Sequence, residues 1–292
     1  MKMNILYTLS IVALLSCGSK SDVSEPEKPN TNEIEVAFKN EVKPAATLPC
    51  FQGAYYRKVV SSHDYWLGIN GEVVLPQIQF DEDRKNPNKA QQYLDNPSVY
   101  IGGNMDGQET DIGLTWEVIR DQNGNVTQDR RAFRPFLRRA AHKSGQASLY
   151  ENAPAQAEYY WYPGETVNIS LEVVENGKVK FTIEGAGKKF ETTFACAGYT
   201  LTNKGEFKRV NAIDQVSNEG KPAQVSKTKV TDSKWIKTNL VRYYQGKRVN
   251  APMHNERMTS MLCPETKFFK VTQTEADKKV GGESIVIDAA GL

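Results

Sequence analysis

Val167-Asn-Ile-Ser-Leu-Glu-Val-Val-Glu-Asn-Gly-Lys-Val-Lys-Phe-Thr-Ile183 decides the fold class. Val167, Ile169, Leu171 and Val173 alternate with other residues, and Val179, Phe181 and Ile183 answer them beyond Asn176-Gly177. Strand side chains point alternately to two faces, so each run reads as a strand with one buried face. Asn-Gly between such runs signals a hairpin, because a tight turn needs positive φ at its centre. The signal recurs. Asn70-Gly71 separates Tyr65–Ile69 from Glu72–Leu75, and Asn123-Gly124 separates Gly113–Ile119 from Val126 and Ala132-Phe133. Three hairpins of this kind predict an all-β protein of two packed antiparallel sheets. Helical spacing is confined to Lys89–Leu94 and to Lys234–Arg242, where Ile236, Leu240 and Tyr243 recur and Ser233 offers a cap.

The 292 residues carry a formal net charge of +2, so the electrostatic footprint of a nucleic-acid binder is missing. At 39% apolar residues the chain can bury a core. Its four cysteines are Cys17, Cys50, Cys196 and Cys263. Cys196 shares a strand face with Phe190 and Phe194 and reads as a small buried hydrophobe, which favours Cys50–Cys263 as a disulfide. The other two pairings stay open. No close cysteine pair suggests a metal, and His63, His142 and His254 are scattered, so neither metal nor cofactor is expected.

Toward the N-terminus, Lys2, the apolar run Ile5–Leu15, Ser16 and Cys17 follow the layout of a secretory signal peptide. Leu14-Leu15-Ser16-Cys17 resembles the lipobox of bacterial lipoproteins. The resemblance implies cleavage before Cys17, a diacylglycerol on its sulfur and acylation of the new N-terminus. Gly18 rather than Asp after the cysteine implies the outer membrane of a Gram-negative cell envelope. Residues 17–48 are rich in Pro, Ser, Glu and Lys and are expected to form a flexible tether. The expected organisation is a signal peptide over 1–16, the tether over 17–48, a sandwich over 49–270, and a tail over 271–292 that could add a strand.

Tyr100-Ile-Gly-Gly-Asn-Met-Asp-Gly-Gln-Glu-Thr-Asp-Ile-Gly-Leu-Thr-Trp116 resembles a strand–loop–strand of the concanavalin A-like jelly-roll superfamily. It is most similar to the glutamic peptidases, or eqolisins. Tyr160-Trp-Tyr-Pro-Gly-Glu-Thr-Val-Asn-Ile169 is similar to an aromatic-rich strand of that family. The resemblance implies a jelly-roll sandwich. It does not carry the catalytic pair over intact. Asp111 stands where the family has Gln, and the second position is matched only by Glu206 in Glu206-Phe-Lys-Arg-Val210.

Three groups of residues offer chemistry. Asp106, Glu109 and Asp111 form an acidic cluster in a Gly-rich segment. With Glu117 they are the candidates for acid–base work on a glycan or peptide. Tyr160, Trp161 and Tyr162, with Trp116 on a neighbouring strand, would make a stacking platform if one face looks outward. Arg130, Arg131, Arg134, Arg138, Arg139, His142 and Lys143 concentrate positive charge. Arg134 is the candidate for pairing with acidic groups of a polysaccharide, against a solvated sheet face balanced by Glu117 and Asp129. The expectation is an envelope lipoprotein, held to the membrane through Cys17, whose non-catalytic sandwich binds a glycan or another extracellular ligand. A secreted hydrolase using the 106–117 region and a structural or adhesion component are the alternatives.

Overall fold

The computed structural model describes residues 36–127 and 129–292. Cys17 and the expected signal peptide lie outside the described residues. The strands are β1 Ala54–Ser61, β2 Gly68–Val74, β3 Gln77–Gln79, β4 Asp95–Met105, β5 Gln108–Glu117, β6 Ala132–Arg139, β7 Leu149–Asn152 and β8 Thr166–Glu175. They continue as β9 Lys178–Gly185, β10 Lys188–Ala195, β11 Gly205–Gln215, β12 Lys229–Tyr244, β13 Lys247–Pro252, β14 Met258–Cys263, β15 Phe269–Thr272 and β16 Glu283–Asp288. A short helix, α1 Glu275–Val280, is closed at its start by a Thr274–Asp277 capping box.

The strands form two sheets, a seven-stranded one ordered β14-β1-β11-β4-β5-β6-β7 and a nine-stranded one ordered β10-β9-β8-β2-β12-β16-β15. In the second sheet β3 and β13 also pair with β12. The result is an antiparallel jelly-roll sandwich. Val167, Ile169, Leu171, Val173, Val179, Phe181 and Ile183 are all fully buried and meet Val99, Ile101, Ile112 and Leu114 in one core. Alternation along β8 and β9 thus becomes one packed and one solvated face.

The core also holds ions. Glu283 on β16 is fully buried and accepts from Arg57 of β1 at 2.9 and 2.7 Å and from Arg209 of β11 at 2.6 Å. Arg209 lies over the Trp235 ring at 5.2 Å, and the Trp235 indole donates to Asn211 at 2.7 Å. Burial would raise the Glu283 carboxyl, but the two guanidiniums outweigh it and hold the pKa below its ordinary value. Because its partners sit on the facing sheet, the triad ties the two layers together. The segment expected as a tail therefore supplies a strand between β12 and β15 and a central buried charge.

Three expectations are corrected. Lys234–Arg242 is not helical but lies inside β12, a strand of 16 residues. A bulge between Trp235 and Lys237 resets its parity, so Ser233, Trp235, Thr238 and Leu240 all point inward. That irregular spacing imitates a helical face. Asn70-Gly71 is not a turn but lies within β2, paired to β12 and β8 on either side. A Cβ on Gly71 would come within 2.6 Å of Trp235 Cζ3, so the glycine makes room for that ring. The described end of the expected tether packs on the body. Arg257 binds the Glu41 carboxylate at 2.8 Å, the Val42 amide donates to Asp64 at 3.0 Å, and Phe38 lies 6.0 Å from Trp66. These residues are held because Glu41, Phe38 and the Val42 amide find partners that their composition does not announce. Cys50 is joined to Cys263, and Cys196 is free and buried.

Candidate functional site

In the seven-stranded sheet one set of side chains enters the core and the alternate set faces outward. β1, β11, β4, β5 and β6 send Tyr55, Phe207, Ile101, Ile112 and Leu137 inward. Their neighbours Tyr56, Lys58, Lys208, Tyr100, Glu109, Asp111, Phe136 and Arg138 line an outer groove of about 600 Å³, with Ser98, Asp214 and Tyr150.

Register and one glycine build its centre. Asp111 on β5 stands opposite Gly102 of β4 and Arg138 of β6, and Gly102 stands opposite Lys208 of β11. With no side chain at Gly102, Lys208 reaches across β4 to Asp111 at 2.7 Å and also binds Glu109. A Cβ on Gly102 would lie 3.0 Å from Lys208 Cε and 3.1 Å from Asp111 Oδ1. Arg138 donates to Asp111 Oδ2 at 2.8 Å and lies 3.7 Å from Glu109. Two carboxylates and two cations thus neutralise each other. Burial would raise the Asp111 carboxyl, but Lys208 and Arg138 outweigh it and hold the pKa below the usual value. Burial would likewise lower the Lys208 ammonium, and Asp111 and Glu109 reverse that.

Asp214 behaves oppositely. Burial pushes its pKa up to about 6, the hydrogen bond from Ser98 at 2.7 Å offsets part of this, and the Asp111 charge adds to it. Burial, then the like charge of Lys208, lowers the Lys58 ammonium. Burial raises the Tyr100 hydroxyl well above its ordinary value. The aromatic wall is Phe136, with Tyr100 edge-on at 5.8 Å and Tyr150 stacked at 6.4 Å. Tyr150 is 59% exposed and Phe51, at the other end, 50%.

Of the acidic candidates, Glu109 and Asp111 share the groove centre. Glu117 lies further along β5 on the same face, paired with Arg134 at 3.2 Å. Asp106 sits apart in the hairpin turn Asp106-Gly107, bound by Lys143 and, at 3.2 Å, His142. The basic concentration is dispersed into local pairs. Arg131 binds Asp129, Arg134 binds Glu117, and Arg139 donates to the Ala147 and Ala195 carbonyls.

The aromatic platform is corrected. Trp161 and Tyr160 are fully buried and Trp116 is 4% exposed, edge-on to Phe133 at 4.9 Å. Trp161 donates to the Gly185 carbonyl at 3.1 Å. The run does not form a strand. A 3-10 turn at Ala157–Tyr159 and a bridge from Trp161 to Phe133 carry it into the core. Tyr162 alone is exposed, with Lys188 over its ring at 4.9 Å. The residues that sequence reasoning did not place in the site are Lys58, Tyr100, Lys208, Asp214 and Tyr150. A signal existed in β1 and β11, where Arg57-Lys58 and Lys208-Arg209 put charge on both faces of runs that are otherwise apolar.

No protein-family model matches the chain, and no curated protein matches it. Among solved structures, the chain is similar to scytalido-glutamic peptidase with a transition state analog inhibitor. The identity is 9%, over 81% of this chain and 98% of that one, with a TM-score of 0.47. It is also similar to a GH16 protein of a Bacteroides ovatus mixed linkage glucan locus, at 13% identity over 66% and 83% of the two chains, TM-score 0.35. The CBM2 module of the evolved Dit of Lactobacillus casei BL23 phage J-1 matches at 8% identity over 64% of each chain, TM-score 0.32. At these identities the likeness is one of fold.

Proposed function

We propose that this protein is a lipid-anchored envelope protein whose sandwich binds an extended glycan in the outer groove of its seven-stranded sheet. The self-neutralised quartet Asp111, Glu109, Lys208 and Arg138 carries this reading. A hydrolase needs an acid and a base free to exchange protons, and these two carboxylates are each engaged by both cations. Ring faces at Phe136 and Tyr150 suit sugar stacking, and the floor is made of side chains on fully paired strands.

Calorimetric titration against a polysaccharide panel tests it. Binding is expected for at least one member. Tyr150→Ala and Phe136→Ala should each weaken it by roughly tenfold, the scale of one lost aromatic contact. No binding to any polysaccharide, or binding that ignores both changes, would sink the reading.

The second reading is a hydrolase, favoured by one observation. Asp214, with a pKa of about 6, could hold a proton near neutral pH as a general acid. Release of reducing ends from a bound polysaccharide, abolished in Asp214→Asn, would establish it. Glu117, tied to Arg134, is not needed in either reading.

A further inference from the structure

The quartet at the groove centre consumes two cations and two anions, which leaves one cation, Lys58, beside the carboxyls of Asp214 and Glu219. Lys58 faces the groove from β1 and, among the described residues, makes no hydrogen bond or ion pair. Its register places it in a row across the sheet. Lys58 stands opposite Val210, Val210 opposite Tyr100, Tyr100 opposite Gly113, and Gly113 opposite Phe136. The row therefore runs ammonium, apolar floor, phenol, gap, aromatic ring. At about 4.8 Å per strand it spans roughly 19 Å, a length suited to a short oligosaccharide lying across the strands. The Tyr100 hydroxyl also has no hydrogen-bond partner among the described residues.

We propose that the groove selects a carboxylate-bearing glycan, with Lys58 as the group that pairs with the sugar carboxylate. The proposal rests on the reading of this face as a glycan groove. A carboxylate fits because the ammonium of Lys58 faces the groove without an ion-pair partner among the described residues, and a charge-assisted contact to it would be strong. Asp214 and Glu219 on the same lining disfavour a dianionic group. A peptide is a poorer occupant. Extended peptides are commonly held by free backbone groups of a strand edge, whereas β1, β11, β4, β5 and β6 are each paired on both sides. Burial and the nearby Lys208 charge lower the Lys58 pKa, and the charges of Glu109, Asp111 and Glu206 offset this only in part.

The test titrates the whole protein with polygalacturonate, alginate and hyaluronan, each beside its carboxyl-neutralised ester or amide. Wild type should prefer at least one acid over its neutral form by about tenfold or more, the weight of a charge-assisted contact. Lys58→Met should abolish the preference, and Lys58→Arg should retain it. Equal affinity for acid and neutral forms, or a preference that survives Lys58→Met, overturns the proposal and leaves the glycan groove standing. Binding only of neutral glycans does the same. Binding of none of these polysaccharides, in acid or neutral form, overturns both readings.

Discussion

Asp111 and Asp214 face the same groove and titrate in opposite directions. Asp111 has Lys208 and Arg138 beside it and ionises more readily than usual, whereas Asp214 is buried beside a hydroxyl partner and a neighbouring negative charge, which the pull of Arg138 does not overcome. The folded protein holds a proton on Asp214 up to about pH 6, against an ordinary value of 3.8. The contribution of Asp214 to stability is therefore fully present below about pH 4 and is lost as pH rises through 6. Asp214→Asn keeps the neutral state at every pH. Its melting temperature should equal that of wild type near pH 4 and exceed it at pH 8. A difference that does not change over that interval would contradict the assignment. Glu109 and Asp111 are legible in the sequence as an acidic pair on one face. Their neutralisation is not, because Lys208 lies 97 residues from Asp111 and reaches it only over Gly102. Tyr160 and Trp161 mislead for the same reason. Composition shows aromatics in a row, and only the bridge to Phe133 shows that they enter the core.

Among the elements, β8 and β9 follow their sequence pattern residue by residue, and β12 defeats it. A single bulge moves the inward set from Ser233 and Trp235 to Thr238 and Leu240, a three-residue step that period-two reading cannot anticipate. Gly71 of β2 is the matching device on the neighbouring strand, since Trp235 occupies the space its side chain would need. Gly71→Ala should destabilise the protein by about 1–3 kcal/mol through overpacking. Urea unfolding would read this as a lower midpoint with unchanged slope, and an unchanged midpoint would show that the ring moves aside freely. The two-residue hairpin Asp106-Gly107, with φ values of 50° and 77°, carries the same turn chemistry as Asn-Gly. Its Asp draws attention as one of an acidic cluster, although its place is that of a turn former.

At the scale of the molecule, the groove and the proposed anchor are separate parts. Residues 36–49 run along the body before the Cys50–Cys263 disulfide fixes the start of the sandwich, which shortens any leash from Cys17 to the residues before 36. Replacing that cysteine in a Cys17→Ser variant should move the protein from the membrane to the soluble fraction, since acyl chains supply the proposed attachment. Retention of the variant in washed membranes would refute the anchor without touching the groove.

The buried triad adds a constraint on chain growth. Ribosomes make Arg57 first and Glu283 226 residues later. Until that glutamate is available, the seven-stranded sheet must bury two guanidiniums without a counter-ion, which several kcal/mol per ion forbids. The sandwich therefore cannot close around a nascent N-terminal half.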